Sequence, residues 1–308
     1  MQNLSIRVAN IVFRNPVLVA SGTFGYGEEY ENFLDLNELG GIITKTITLN
    51  KREGNLPPRI VEVTGGILNS IGLENSGIEE FIKNKLPYLE KLNTNIIVSI
   101  GGERIEEYLK IVEIINNVSG ISAIEINISC PNIRKMKKLF SQTPEETYKL
   151  VSKIRKITKI PIFVKLSPNV TEITEIAKSS EDAGADGISL INTLFGMAID
   201  VERKIPKLGN IYGGLSGPAI KPVALYNVWK VYNSVKIPII GSGGIMNFLD
   251  ALEFIITGAS LIAVGTGNFI NPKISSEIID EMKKYLKEKK IKNIKELVGS
   301  LKWKHLKD

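Results

Sequence analysis

One cysteine and one histidine in 308 residues leave little room for several kinds of chemistry. The lone Cys130 forbids an internal disulfide, which points to a reducing cytoplasm. Its only possible imidazole partner, His305, sits in the C-terminal tail. That pair supplies neither a soft metal cluster nor the adjacent histidine of a thiol protease. No apolar run approaches the ~20 residues of a membrane-crossing helix, and the N-terminus lacks a signal-peptide core. Nor does a G-x-G-x-x-G follow the first predicted strand, so the usual fingerprint of an open dinucleotide-binding sheet is missing.

Charge of one sign is not concentrated either. The formal net charge is +6, but Lys and Arg interleave with Glu over Glu103–Lys110, Glu145–Lys156 and Lys283–Lys292. Only Lys287–Lys292 is a local basic cluster. Such patterns are solvated helix faces, and they favour an anionic substrate or a protein partner over nucleic acid. What is present is ordinary for a soluble protein with a large core, 43% hydrophobic and 23% charged residues. An α/β barrel can hold residues 1–308 as a single domain.

Along the chain, Leu4 to Val8 alternates and Ala9-Asn10 allows a turn, which predicts a short hairpin before a buried strand at Pro16–Ala20. Gly41–Thr44 is a second buried strand, ending at Lys45-Thr46. Residues 50 to 75 carry Pro57-Pro58 and Gly65-Gly66 without strong periodicity, and are expected to form a functional loop over one end of the domain. From Asn95 strand and helix alternate. Strands are predicted at 96–100, 123–128, 161–165, 187–191, 237–241 and 260–264. Helices are predicted at 103–117, 143–156, 171–183, 220–234 and 247–256, with a Gly-rich loop from about 192 to 217. Thr143-Pro144-Glu145-Glu146 is a helix start, with an N-cap, a proline at the first position and a capping-box glutamate. Eight strands joined by crossovers of this length are parallel and close into a (β/α)8 barrel, here with inserted loops at the C-terminal face. An open doubly wound sheet is the alternative fold.

Barrel chemistry is done where the strands end. The strand ends present Ser21, Lys45, Ser99, Asn127, Cys130 in the loop that follows, Lys165, Asn192-Thr193, Gly243-Gly244 and Gly265-Thr266. Two glycine turns at adjacent strand ends suit a phosphate. Two lysines ending apolar runs either snorkel to solvent or, beside those turns, meet a phosphorylated, electron-rich cofactor such as a flavin. Cys130, between Asn127 and Asn132 and followed by Pro131, is either a buried core residue or a general base. Asn69, Asn127, Asn132 and Asn192 either cap loops or grip a planar polar substrate.

These stretches together resemble the dihydroorotate dehydrogenases. The matching motifs are S-G-T-F-G at 21–25, K-T at 45–46, N-S-I-G-L at 69–73 and N-I-S-C-P-N at 127–132. They continue with K-L-S-P-N at 165–169, N-T-L-F-G-M-A-I-D at 192–200, G-G-L-S-G-P-A-I-K-P at 213–222, G-S-G-G-I at 241–245 and V-G-T at 264–266. The resemblance implies a TIM barrel that binds FMN and oxidises dihydroorotate to orotate, with Cys130 as the base at C5 and hydride passing from C6 to the flavin. Cysteine rather than serine at position 130 resembles the soluble class 1. The segments 192–200 and 213–222 resemble its NAD-linked subclass 1B.

By that resemblance Lys45, Asn69, Ser70, Ile71, Gly72, Leu73, Asn127, Asn132, Asn192 and Thr193 hold the substrate. Ser21, Lys45, Thr46, Ser99, Asn127, Lys165, Ile191, Gly217, Gly243, Gly244, Gly265 and Thr266 surround FMN. The resemblance also implies a homodimer joined to an electron-transfer subunit as a heterotetramer, that subunit holding FAD and a [2Fe–2S] cluster. This chain has too few cysteines to ligate such a cluster. Loop 131–142 is expected to cover the substrate. Three other readings compete: a fumarate-linked homodimer, another FMN-dependent dihydropyrimidine or dihydrouridine oxidoreductase, and a barrel kept only as a binding scaffold.

Overall fold

Eight short parallel strands form a closed barrel, each hydrogen-bonded to the next in chain order and the last back to the first. They are β1 (Val17–Val19), β2 (Gly41–Ile43), β3 (Asn95–Ile100), β4 (Ala123–Asn127), β5 (Ile162–Lys165), β6 (Gly187–Leu190), β7 (Ile239–Ser242) and β8 (Leu261–Val264). This computed structural model describes residues 3–129 and 140–302. Cys130, Pro131, Asn132, residues 133–139 of the expected covering loop and His305 lie outside the described residues.

Strands of apolar residues on both faces belong inside two layers. Outward-facing Val17, Val19, Ile42, Ile96, Val98, Ile124, Ile126 and Ile162 pack under helices that include Ile105–Ile115, Pro144–Ile157, Phe248–Thr257 and Ile274–Glu288. The Pro144–Ile157 helix begins with the expected N-cap and proline, the Thr143 hydroxyl oxygen accepting from the Glu146 N–H at 3.3 Å. The inward-facing set divides by height. Leu18, Ile43, Ile97, Ala123, Phe163, Ile240 and Leu261 fill the lower barrel. Two residues further along the strands, on the same inward face, stand Ser99, Glu125, Lys165 and Ser242. The barrel is therefore oily at the bottom and polar at the top.

The bottom is stoppered by the N-terminal hairpin. Ile6–Val8 pairs antiparallel with Ile11–Phe13, and the turn residues Ala9 and Asn10 both have positive φ (49° and 64°). A two-residue turn of that hand matches the twist of the flanking strands. Ile6, Val8 and Phe13 pack directly onto the inward residues of the lower barrel.

The top differs from the sequence reading in two places. Residues 50–75 and 192–217 are not merely loops. Ile60–Val63, Gly66–Asn69, Gly213–Ser216 and Leu194–Gly196 make a four-stranded antiparallel sheet beside the strand ends. Ile60–Val63 and Gly66–Asn69 form a local hairpin, but the ladder that joins it to Gly213–Ser216 pairs residues far apart in the chain, which local periodicity cannot register. A helical stretch at Ile78–Leu89, unforeseen in the sequence, also precedes β3.

Candidate active site

A cavity of about 500 Å³ opens at the C-terminal end of the barrel, within the usual range for small-molecule sites. Barrel strand ends supply Ser21, Lys45, Thr46, Asn127, Lys165, Ile191, Asn192, Thr193, Gly243, Gly244, Gly265 and Thr266 to its wall. The accessory sheet and its loops add Ile60, Ile67, Asn69, Ile71, Gly72, Leu73, Ser216 and Gly217.

One end is bare backbone. Gly243 and Gly244 have φ of +129° and +77°, and a Cβ on Gly244 would lie 2.8 Å from the Lys221 Cβ and 2.9 Å from the Gly217 carbonyl oxygen. Gly265 is different: a Cβ there would meet nothing closer than the Ala20 Cβ at 3.9 Å. The missing side chain leaves open space at the cavity wall, as close approach of a ligand to the backbone requires. Beside it Thr266 donates its hydroxyl to Ser216 Oγ at 2.9 Å.

The floor is a polar network built from the inward residues. Glu125 is fully buried; Ser99 Oγ donates to its Oε1 at 3.1 Å and Ser189 Oγ to its Oε2 at 2.9 Å. The Lys165 ammonium stands 3.7 Å from the same Oε2, and its side chain is only 7% exposed. Thr46 Oγ1 lies 3.0 Å from Ser99 Oγ and 3.1 Å from Ser21 Oγ. Asn127 donates from Nδ2 to Thr46 Oγ1 at 3.1 Å and accepts at Oδ1 from the Ser129 N–H and hydroxyl. Asn192 donates from Nδ2 to Ser129 Oγ at 2.7 Å and accepts at Oδ1 from the Thr193 N–H at 2.8 Å. On the sheet side Asn69 Nδ2 donates to the Gly214 carbonyl at 3.2 Å. Near the mouth Lys45 pairs with Glu74 at 3.5 Å, and Arg59 reaches the same carboxylate oxygen at 3.3 Å.

Comparison with known proteins gives the family. The family model described as "Dihydroorotate dehydrogenase" matches residues 3–286. The chain belongs to the dihydroorotate dehydrogenase family. It is 53% identical over 298 residues to a protein of Desulforamulus reducens named "Dihydroorotate dehydrogenase B (NAD(+)), catalytic subunit", covering 97% of this chain and 98% of that one. Proteins of the same name from Geotalea uraniireducens and Bacteroides thetaiotaomicron are 50% and 48% identical, each matched over at least 97% of both chains. The fold also matches a solved dihydroorotate dehydrogenase from Eimeria tenella in complex with ferulenol, with a TM-score of 0.81 at 24% identity, covering 96% of this chain and 88% of that one.

For this member of the dihydroorotate dehydrogenase family, the described site residues expected from sequence gather round one cavity, with two exceptions. Ser70 is buried behind the wall, where its hydroxyl oxygen accepts from Asn55 and Asn210. Ser99 is fully buried beneath the cavity and reaches its lining through Thr46 and, by way of Glu125, Lys165. Cys130 and Asn132 fall outside the described residues. Sequence reasoning missed Glu74 and Glu125. Glu125 did leave a signal, a carboxylate inside an apolar strand two residues before Asn127 and so on the same inward face. Among the described residues no cluster of three or more metal-ligating side chains occurs. No helix there is long and apolar enough to cross a membrane.

Proposed function

We propose that this chain oxidises (S)-dihydroorotate to orotate on a bound FMN and passes the electrons through a partner subunit to NAD+. The observation that carries the reading is the pairing, in one cavity, of a bare glycine end with a floor holding the buried Lys165. The three relatives named as NAD(+)-linked catalytic subunits support the choice of acceptor and the need for a partner.

The residues present fit FMN. Gly217, Gly243, Gly244, Gly265 and Thr266 would hold the phosphate, because small residues at adjacent strand ends let backbone N–H groups approach an anion. Lys165 would face the pyrimidine end of the ring with Ser21, Thr46 and Asn127. When bound, FMN supplies a two-electron acceptor for the hydride leaving C6 of the substrate. The chain's own part is positioning and proton removal. Among the described residues, each of Asn127 and Asn192 commits one Nδ2 hydrogen within the network, and the second would serve a planar ligand. Asn69 and Asn132 would complete the grip on the pyrimidine, with Ser70, Ile71, Gly72 and Leu73 forming the turn beside it and Thr193 and Ile191 the opposite edge. Lys45, its charge shared with Glu74, would turn to the substrate carboxylate. Cys130, as the thiolate, takes the proton from C5. A heterotetramer of two such chains and two electron-transfer subunits holding FAD and [2Fe–2S] fits the absence of cluster ligands here.

A visible spectrum of the purified chain tests the first half, and a yellow protein with bound FMN is expected. Anaerobic dihydroorotate should then bleach it without any added acceptor. A colourless protein that takes up no FMN would overturn the reading, as would a bound flavin left oxidised by dihydroorotate. Assays with NAD+ and fumarate, with and without the partner subunit, test the acceptor.

A further inference from the structure

Among the described residues Glu125 is the one carboxylate in the upper barrel floor, and the substrate mechanism makes no use of it. A fully buried carboxylate is costly unless its charge is offset and its oxygens are hydrogen-bonded. Both conditions are met, by Lys165 at 3.7 Å and by one serine hydroxyl on each oxygen.

The arrangement has a direction. An ionised carboxylate only accepts, so Ser99 spends its single proton on Glu125. Ser99 Oγ must then accept from Thr46, whose own proton is spent there. Thr46 in turn accepts from Ser21 and from Asn127 Nδ2, both at 3.1 Å. At the far end the Ser129 and Thr193 N–H groups, which only donate, hold Oδ1 of Asn127 and of Asn192. The two ends demand the same orientation, and every hydroxyl proton between them is assigned.

Resting on the FMN reading above, we propose that Glu125 is a positioning residue: its buried carboxylate anchors the Lys165 ammonium, offsets its charge beneath the ring, and terminates the hydroxyl–amide chain. Lys165 alone would favour the reduced, anionic flavin strongly. Glu125 moderates that pull, keeping the flavin able to hand its electrons on. It touches neither substrate nor cofactor and acts through Lys165.

The test is the midpoint potential of FMN in the loaded wild-type chain and in Glu125→Gln, with orotate affinity measured alongside from the flavin spectrum. Removing the negative charge should favour the reduced flavin by about tenfold, about 30 mV more positive for a two-electron couple. Orotate affinity should stay within about threefold, since backbone donors still orient both amides. A role in folding alone would leave the potential of the retained flavin where it was. A potential shift under about threefold, or a shift to more negative values, overturns the proposal whatever the orotate affinity. If Glu125→Gln does not hold flavin, Ser189→Ala carries the test. It keeps the charge but strips a donor from Oε2, so the potential should fall, and a rise or no change overturns the proposal. A wild-type chain that binds no FMN refutes the functional reading itself and is seen before any variant is made.

Discussion

Replacing Phe13 by alanine tests whether the N-terminal hairpin is a structural plug. Phe13 is fully buried and packs with Ile6 and Val8 against Leu18, Ile43, Ile97, Phe163 and Leu261 at the closed end of the barrel. Truncating a buried phenylalanine costs about 3–5 kcal/mol, with the upper part of that range applying where the surroundings cannot collapse. Here the cavity would be walled by hydrogen-bonded barrel strands, which resist collapse, so a loss of about 4 kcal/mol is expected. With a urea m-value of ~3 kcal/mol/M for a chain of this size, the unfolding midpoint should drop by about 1 to 1.5 M. The neighbouring Val12 points outward and is 52% exposed; its alanine variant should stay within about 0.5 kcal/mol of wild type. Because the plug lies opposite the cavity, Phe13→Ala should keep its flavin in the absence of denaturant. Urea titration followed by circular dichroism, with flavin content measured in parallel, reads both. A midpoint shift below about 0.3 M would refute the plug, and so would equal losses in the two variants.

Gly244→Ala forces a side chain into positive φ and within 3 Å of Lys221 and the Gly217 carbonyl. It should cut FMN retention at least ~10-fold with the circular dichroism spectrum unchanged, and wild-type retention would remove the glycine end as the phosphate site. Cys130→Ser should bind FMN normally yet slow flavin reduction by dihydroorotate sharply near neutral pH, because serine is the poorer base; single-turnover reduction at the wild-type rate would refute the base assignment. Lys230 and Thr174 hold the Glu172 carboxyl down from 4.5 to about 2. A depressed carboxyl contributes stability above its unfolded pKa and loses it as the pH falls through the folded one. Glu172→Gln should therefore melt below wild type at pH 7, the gap closing between about pH 4.5 and pH 2; a gap persisting at pH 2 would argue against the ion pair as its source.

The barrel was legible in the sequence because its evidence is local. Runs such as Ile96–Ile100 and Ile124–Ile128, each followed by a helix of 3.6-residue periodicity, need no partner to be recognised, and crossover length then dictates parallel pairing. Most site residues were legible for a related reason, since a barrel brings strand ends to one face whatever their separation in the chain. Thus Ser21, Lys45, Asn127, Lys165, Gly243 and Gly265 could be placed together from their positions alone.

What the tertiary structure alone decided is everything resting on a distant neighbour. The accessory sheet joins residues 60–69 to 194–216 through one ladder whose two sides are over a hundred positions apart, so those segments read singly as loops. Ser99 sank below the cavity, and Ser70 behind its wall, because depth along a strand and shielding by a second layer have no periodic signature. Glu125 gained its meaning from Ser99, Ser189 and Lys165, each on a different strand. Sequence specifies which faces seek burial; only closure of the ring determines which buried polar groups meet, because a hydrogen bond depends on distances that no single segment contains.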